Sequence, residues 1–432
     1  MTPRRRNRPQ LVYCDERDRI YEHPSLEPAF RSGTRFVPVD PAELIELPFG
    51  SHILSLPGRR PVARRKRTDA FECIPDDDAG VPIVAAASFL SSGFLRTFLP
   101  GYTVTADAPT LPLWAYAGVA IVDGEYAVPA MRIDEDPRSD PELHLDDAAL
   151  TRAQRSLAQR LPDNRLVRQL AHCSTEYRCL CARNFFLGRF EAPVPTTPAC
   201  NAACVGCLSL QEDSGFCHSQ DRLDFSPTPE EIAEVILHHF SRVPDGVASF
   251  GQGCEGEPLL RARDLSRAIE LVRAHTARGT INLNTNGSLP DRIPDLRAAG
   301  LDSIRISLNS PTERYYNRYV RSSSFSFSDM RRSVETALGC GLFVSLNLFF
   351  LPGFTDMESE VDSLFAFLRD HPVHMIQTRN LNIDPDLYWA AIGVEETNAI
   401  GIRTLCATLR ERHPAIRLGY YNPPREKFGF SN

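Results

Sequence analysis

Two hydrophobic periods alternate along the second half of the chain. Short apolar stretches at 247–250 (VASF), 280–285 (TINLNT), 303–308 (SIRISL), 342–351 (LFVSLNLFFL) and 373–378 (VHMIQT) read as strands. Between them, apolar residues recur three and four apart, as helices require. Ile232, Val235, Ile236 and Phe240 follow a Ser226/Thr228 start with Pro229. Leu265, Ala268, Ile269 and Val272 form a second set, Met330, Val334 and Leu338 a third, and Val361, Leu364, Phe365 and Leu368 a fourth. With the proline-broken stretch 191–198 as a first strand, this makes six βα units. Repeated βα units predict an α/β fold with a parallel sheet, open or curled into a full or partial barrel, with its chemistry at the carboxyl ends of the strands.

The first 150 residues follow another pattern. LVYCDERDRIY, HILSLPGRRPV and VAIVDGEYAVPAM hold short strands, and Asp123-Gly124 between two of them signals a hairpin. Residues 1–150 are thus expected to be a strand-containing α+β domain. Residues 151–189 should form a helical bridge, 190–385 the βα core, and 386–432 a C-terminal helical extension.

Composition narrows the possibilities. The chain has 432 residues, 42% hydrophobic and 24% charged, with a formal net charge of −7, as expected for a globular protein of two or three domains. Only Lys66 and Lys427 are lysines, so 46 of the 48 basic residues are arginine. Neither lysine lies in a Gly-Lys-Ser/Thr triplet, which excludes a Walker-type ATPase, and a pyridoxal-phosphate Schiff base is disfavoured on the same ground. Arginine clusters at 4–6 and 59–67 suit a solvated face better than a nucleic-acid patch. The start MTPRRRNRPQ leads into no apolar signal segment. The longest uncharged run, Thr336–Thr355, is broken by Gly339, Gly341, Pro352 and Gly353. A cytoplasmic protein with no membrane partner is expected.

The twelve cysteines bunch. Seven of them, Cys173, Cys179, Cys181, Cys200, Cys204, Cys207 and Cys217, fall within 45 residues. A chain of this size without an export signal needs no disulfide staples, so clustered thiols read as metal ligands. Directly after the first strand, CNAACVGC places Cys200, Cys204 and Cys207 on one tight loop. Three thiolates there can hold three irons of a four-iron cube and leave the fourth open; zinc is the alternative.

This triplet resembles the signature of the radical S-adenosylmethionine superfamily, and further resemblances fall at successive strand ends. Gly256-Glu257-Pro258 looks like the element that grips the methionine amino group. Asn284-Thr285-Asn286-Gly287 is similar to the family's Thr-Asn-Gly turn. Ser307 and Asn309 stand where the family contacts the methionine carboxylate and ribose. Asn347, running into Leu351-Pro352-Gly353, resembles the turn beside adenine, and Ile376 and Gln377 match the last adenine contact. Arg305 shares the face of Ser307 and Asn309, so it could neutralise the methionine carboxylate or form an internal salt bridge. The resemblance spans roughly residues 190 to 385 and implies a partial (β/α)6 barrel. One departure is Gly206, where many members carry a bulky residue that packs beside adenine.

Cys173, Cys179, Cys181 and Cys217 could complete a second, closed auxiliary cluster, hold zinc, or remain free thiols. Cys254, inside GQGCEGEP, is a candidate hydrogen-atom donor or group carrier, with packing or auxiliary ligation as alternatives. Cys14, Cys73, Cys340 and Cys406 are expected to be structural, as are His172 and His218. Beyond the sixth strand, Arg379, Asn380, Asn382 and Asp384 are candidate substrate contacts. YYNRYV at 315–320 and the SSSFSFSDM run are candidate lids or barrel covers.

The resemblance implies a [4Fe–4S] cluster bound by the triplet, S-adenosylmethionine at its open iron, and a flavodoxin- or ferredoxin-like electron donor. Reductive cleavage would release methionine and a 5′-deoxyadenosyl radical that takes a hydrogen atom from an unidentified substrate. The large N-terminal domain tilts the expectation towards a peptide or protein over a small metabolite. RNA modification and a non-catalytic iron–sulfur carrier or scaffold are the alternatives.

Overall fold

The computed structural model describes residues 8–65, 70–209, 218–394 and 398–429. Its C-terminal half is a parallel sheet of seven strands in sequence order: β1 (Glu191–Pro193), β2 (Val247–Phe250), β3 (Thr280–Thr285), β4 (Ser303–Leu308), β5 (Phe343–Phe350), β6 (Met375–Asn380) and β7 (Arg417–Gly419). The alternation that marked these strands sorts their two faces. Ile281, Leu283, Ile304, Ile306, Val344 and Leu346 are fully buried and pack in one core with Leu265, Ile269 and Val334 of the covering helices. The opposite face presents Asn282, Asn284, Ser303, Arg305, Ser307 and Asn347, so the inner wall of the curled sheet is polar.

The helices begin where capping chemistry dictates. α4 (Pro229–Arg242) opens with a capping box between Thr228 and Glu231, and α8 (Phe327–Gly339) with one between Ser326 and Asp329. The aromatic-serine run is therefore a helix start. YYNRYV lies in α7 (Glu313–Val320), which buries Tyr315, Tyr316 and Tyr319.

The tail differs from expectation. It contains α10 (Pro385–Ile392) and α11 (Ile402–Arg412), but also β7, which pairs in parallel with β6 through Ile376↔Leu418 and Gln377↔Gly419. A three-residue edge strand is too short to show a period. It forms because the edge of β6 offers it a partner.

The N-terminal region, from Gln10 to Arg132, is built of antiparallel strands joined by turns and one short 3₁₀ segment, with no α-helix among the described residues. Asp123 and Gly124, both with positive φ (55° and 87°), make the expected two-residue hairpin with Val122 opposite Glu125. Two helices, α1 (Asp147–Arg160) and α2 (Arg165–Thr175), then lead through α3 (Leu180–Leu187) into β1. None of the helices of the described residues is long and apolar enough to cross a membrane.

Candidate active site

A cavity of about 610 Å³ opens at the carboxyl ends of the strands. One half of it is the loop after β1, from which Cys200, Cys204 and Cys207 all line the space. Backbone contacts hold this loop: Ala203 N donates to Val320 O (3.1 Å) and Val205 N to Tyr319 O (2.9 Å), so the end of α7 serves as its brace. Gly206 takes φ +76°, a left-handed conformation costly for a side chain, and Ile383 fills the space beside it. That is why no aromatic residue stands there.

From below, the turn after β2 approaches the cysteine loop backbone to backbone. Gly256 N donates to Thr197 O (2.7 Å) and Glu257 N to Ala199 O (2.8 Å), and a Cβ on Gly256 would collide with the Ala199 carbonyl. Burial and the neighbouring thiols of Cys207 and Cys200 push the Cys204 thiol pKa up. Arg222 Nη2 donates to Cys207 Sγ (3.5 Å). Three thiols on one braced loop, facing an open cavity, fit a four-iron cube with one iron free of protein ligand.

Glu257 is 3% exposed and accepts from Thr285 Oγ1 (2.5 Å), Leu259 N (2.9 Å) and Asn286 N (2.8 Å). A carboxylate has about four acceptor positions, so one remains for a ligand. Burial raises its pKa to about 7, against the opposing pull of those donors. Asn286 also reaches Asn201 Oδ1 (2.9 Å), fastening the turn after β3 to the cysteine loop. Ser307, Asn309 and Asn347 line the same cavity. Asn309 Oδ1, Asn347 Oδ1 and the Tyr316 hydroxyl are buried there without a hydrogen-bond partner among the described residues. Unsatisfied polar atoms around a preformed space suit a ligand carrying hydroxyl and amino groups, as S-adenosylmethionine does.

Other sequence expectations are redistributed. Cys254 does not line the cavity; its thiol donates to the sulfur of Cys173 on α2, which pushes Cys254 up and Cys173 down. The second cysteine group is divided, because Cys181 lines the cavity near Glu191 while Cys173 and Cys179 lie behind it on the Cys254 side. Cys217 lies outside the described residues. Among the described residues no group of three or more His, Cys, Asp or Glu side chains is close enough to share a single metal ion. Gly353 packs against the backbone of Gly33, so the turn 351–356 docks the N-terminal domain and lines no part of the cavity. Asp384 is likewise a docking residue, paired with Arg59 Nη2 at 2.7 Å, and the Asn380 amide is spent on Arg96 N and Phe94 O. Arg379, Asn380 and Asn382 do line the cavity.

Several site residues escaped the sequence. Glu255 accepts from Thr196 N, Thr196 Oγ1, Gly251 N and Gln252 N (2.6–2.7 Å), pinning the loop after β1 to the one after β2. Glu255 lacks the preceding glycine and following proline that single out Glu257 in the sequence. Tyr420, Tyr421 and Asn422, just past β7, line the cavity, and Asn422 Nδ2 reaches Glu191 Oε1 of β1 (2.8 Å) across the gap between the two edge strands. Arg138 donates to Glu191 Oε2 and to Asn422 O (both 3.1 Å), completing that closure.

Residues 194–366 match the family model described as the radical SAM superfamily. A protein of Methanosarcina acetivorans named "Probable GTP 3',8-cyclase" is 28% identical over 202 residues, covering 45% of this chain and 55% of its own. The GTP 3',8-cyclase of Corynebacterium glutamicum is 30% identical over 174 residues, covering 38% and 42%. The chain thus spans about half the length of the curated relatives it matches. Among solved structures, the FeFe-hydrogenase maturase HydG from Carboxydothermus hydrogenoformans aligns with a TM-score of 0.38 at 14% identity, covering 63% of this chain and 70% of that chain.

Proposed function

We propose that the chain, whose residues 194–366 match the radical SAM superfamily model, holds a [4Fe–4S] cluster through Cys200, Cys204 and Cys207, binds S-adenosylmethionine beside it, and takes a hydrogen atom from a substrate in the same cavity. The observation that carries this reading is the convergence of the three thiols, Glu257, Ser307, Asn309 and Asn347 on one space. When bound, the cluster supplies the electron that cleaves S-adenosylmethionine into methionine and a 5′-deoxyadenosyl radical. The protein's part is positioning. Glu257 receives the ammonium group, the Asn286 N–H helps fix that carboxylate, Asn309 and Asn347 offer acceptors to hydroxyls, and Arg222 steadies Cys207.

An electron carrier would need none of these ligand-facing groups, so that alternative is less well supported. The relatives' name, GTP 3',8-cyclase, denotes a reaction of GTP, which favours a small molecule over the macromolecular substrate expected from domain size. The electron donor is flavodoxin- or ferredoxin-like and the setting cytoplasmic in this reading.

Anaerobically reconstituted protein given reductant and S-adenosylmethionine should form 5′-deoxyadenosine and carry about four irons and four sulfides on the triplet. No product above a Cys204→Ala control would overturn the activity.

A further inference from the structure

The cavity has two chemically distinct halves. Around Cys204 stand Cys207, Cys200, Glu257, Tyr316 and Tyr319. The charged and titratable groups that face Arg305 are Arg379, Glu191, Tyr420 and Cys181, all from the side where β1 and β7 approach each other. Arg305 also sits one inward step, about 7 Å, nearer the amino ends of the strands than Ser307.

Two guanidinium groups in that second half lack a counter-charge. Neither Arg305 nor Arg379 forms an ion pair with a carboxylate among the described residues, and both donate to the same neutral acceptor, Gln377 Oε1, at 3.0 and 3.4 Å. The Nε atoms of both are buried without a partner. Glu191, the nearest carboxylate, is already committed to Arg138 (3.1 Å), Ser249 (2.5 Å) and Asn422 (2.8 Å). Arg379 is held over the Tyr420 ring, 3.8 Å from its centroid, so its fork is pre-set. Guanidinium stays protonated under ordinary conditions, and two half-buried like charges sharing one amide oxygen on the cavity wall repel each other. Burial and the neighbouring Arg379 lower the Arg305 pKa to about 9, which agrees with that strain.

We propose that Arg305 and Arg379 form an oxyanion-binding floor that receives a carboxylate or phosphate group of the substrate, and that the methionine carboxylate is held elsewhere. Planar forks with free N–H groups match such oxyanions, and binding would relieve the uncompensated charge. An anchored anionic end would leave the rest of the molecule extending towards the cysteine loop. The inference rests on the proposed reading of the cavity as the reaction chamber.

Its test uses reconstituted protein with two probes. Equilibrium dialysis of labelled S-adenosylmethionine should give affinities for Arg305→Gln and Arg379→Gln within about twofold of the parent. Calorimetric titration with inorganic pyrophosphate and with succinate, S-adenosylmethionine present, should show salt-sensitive binding of at least one probe to the parent, weakened tenfold or more in either variant. Lysine at either position should restore part of it. Without anion, Arg305→Gln should melt no lower than the parent, because it removes an uncompensated charge; a purely structural arginine would give a lower melting temperature. A tenfold loss of S-adenosylmethionine affinity in the variants, or no binding of either probe to the parent, would overturn the proposal. Failure of the parent to form 5′-deoxyadenosine would instead overturn the activity and leave the anion titration standing.

Discussion

Glu257 joins a folding cost to a binding role. Its pKa, raised to about 7 by burial, makes it largely neutral near pH 6 and ionised near pH 8. In the unfolded chain the same group ionises in the ordinary carboxylate range, so it favours the folded state less as pH climbs towards 7. Binding runs the other way, since an ammonium ligand needs the ionised form. The affinity of reconstituted protein for S-adenosylmethionine should therefore rise about tenfold between pH 6 and pH 8, measured by equilibrium dialysis. Glu257→Gln should bind more weakly at every pH and lose the slope; a flat profile in the parent would reject the assignment. This residue was legible in the sequence because it stands between glycine and proline at a strand end. Cys254, three positions earlier, shows the limit: its neighbourhood suggested the cavity, whereas its thiol turns to Cys173.

At the scale of elements, local chemistry carried most of the information. The Thr228/Glu231 capping box with Pro229 at the start of α4 is written in consecutive residues, and Arg165 binds the same Glu231 at 2.7 Å. Thr228→Ala should cost about 1 kcal/mol, seen as a lower urea midpoint with unchanged iron content. An unchanged midpoint would mean that tertiary packing alone holds that helix end. The strands with polar inner faces were equally readable, because period-two alternation in TINLNT and SIRISL separates an apolar side from a wet one. β7 was not, since three residues make no pattern.

The whole molecule depends on a polar seam between the N-terminal strands and the segment after β6. Asp384 and Arg59 are each 3% exposed, 2.7 Å apart, and Asp384 also accepts from Leu111 N (2.9 Å). Tyr102 and Arg31 both reach Asp386 (2.8 and 3.1 Å). Removing one partner of a buried pair strands the other, so Asp384→Ala should cost about 3–5 kcal/mol. Limited proteolysis should then cleave the N-terminal region faster than in the parent. Equal protection would show that the seam's apolar contacts suffice.

By itself the sequence determined the order of the βα units, the cysteine loop at the end of β1, and the acidic turn beneath it. Each is a contiguous pattern in which a period, a cap or a tight spacing acts between near neighbours. Only the tertiary structure decided which candidates share a cavity. It turned Cys254 away from the cavity to Cys173, moved Asp384 from substrate contact to docking, drew Asn422 across to Glu191, and left Arg305 and Arg379 facing one neutral acceptor. Those outcomes depend on which way a side chain points and on partners often far apart in the chain. Packing sets both, and no local pattern encodes them.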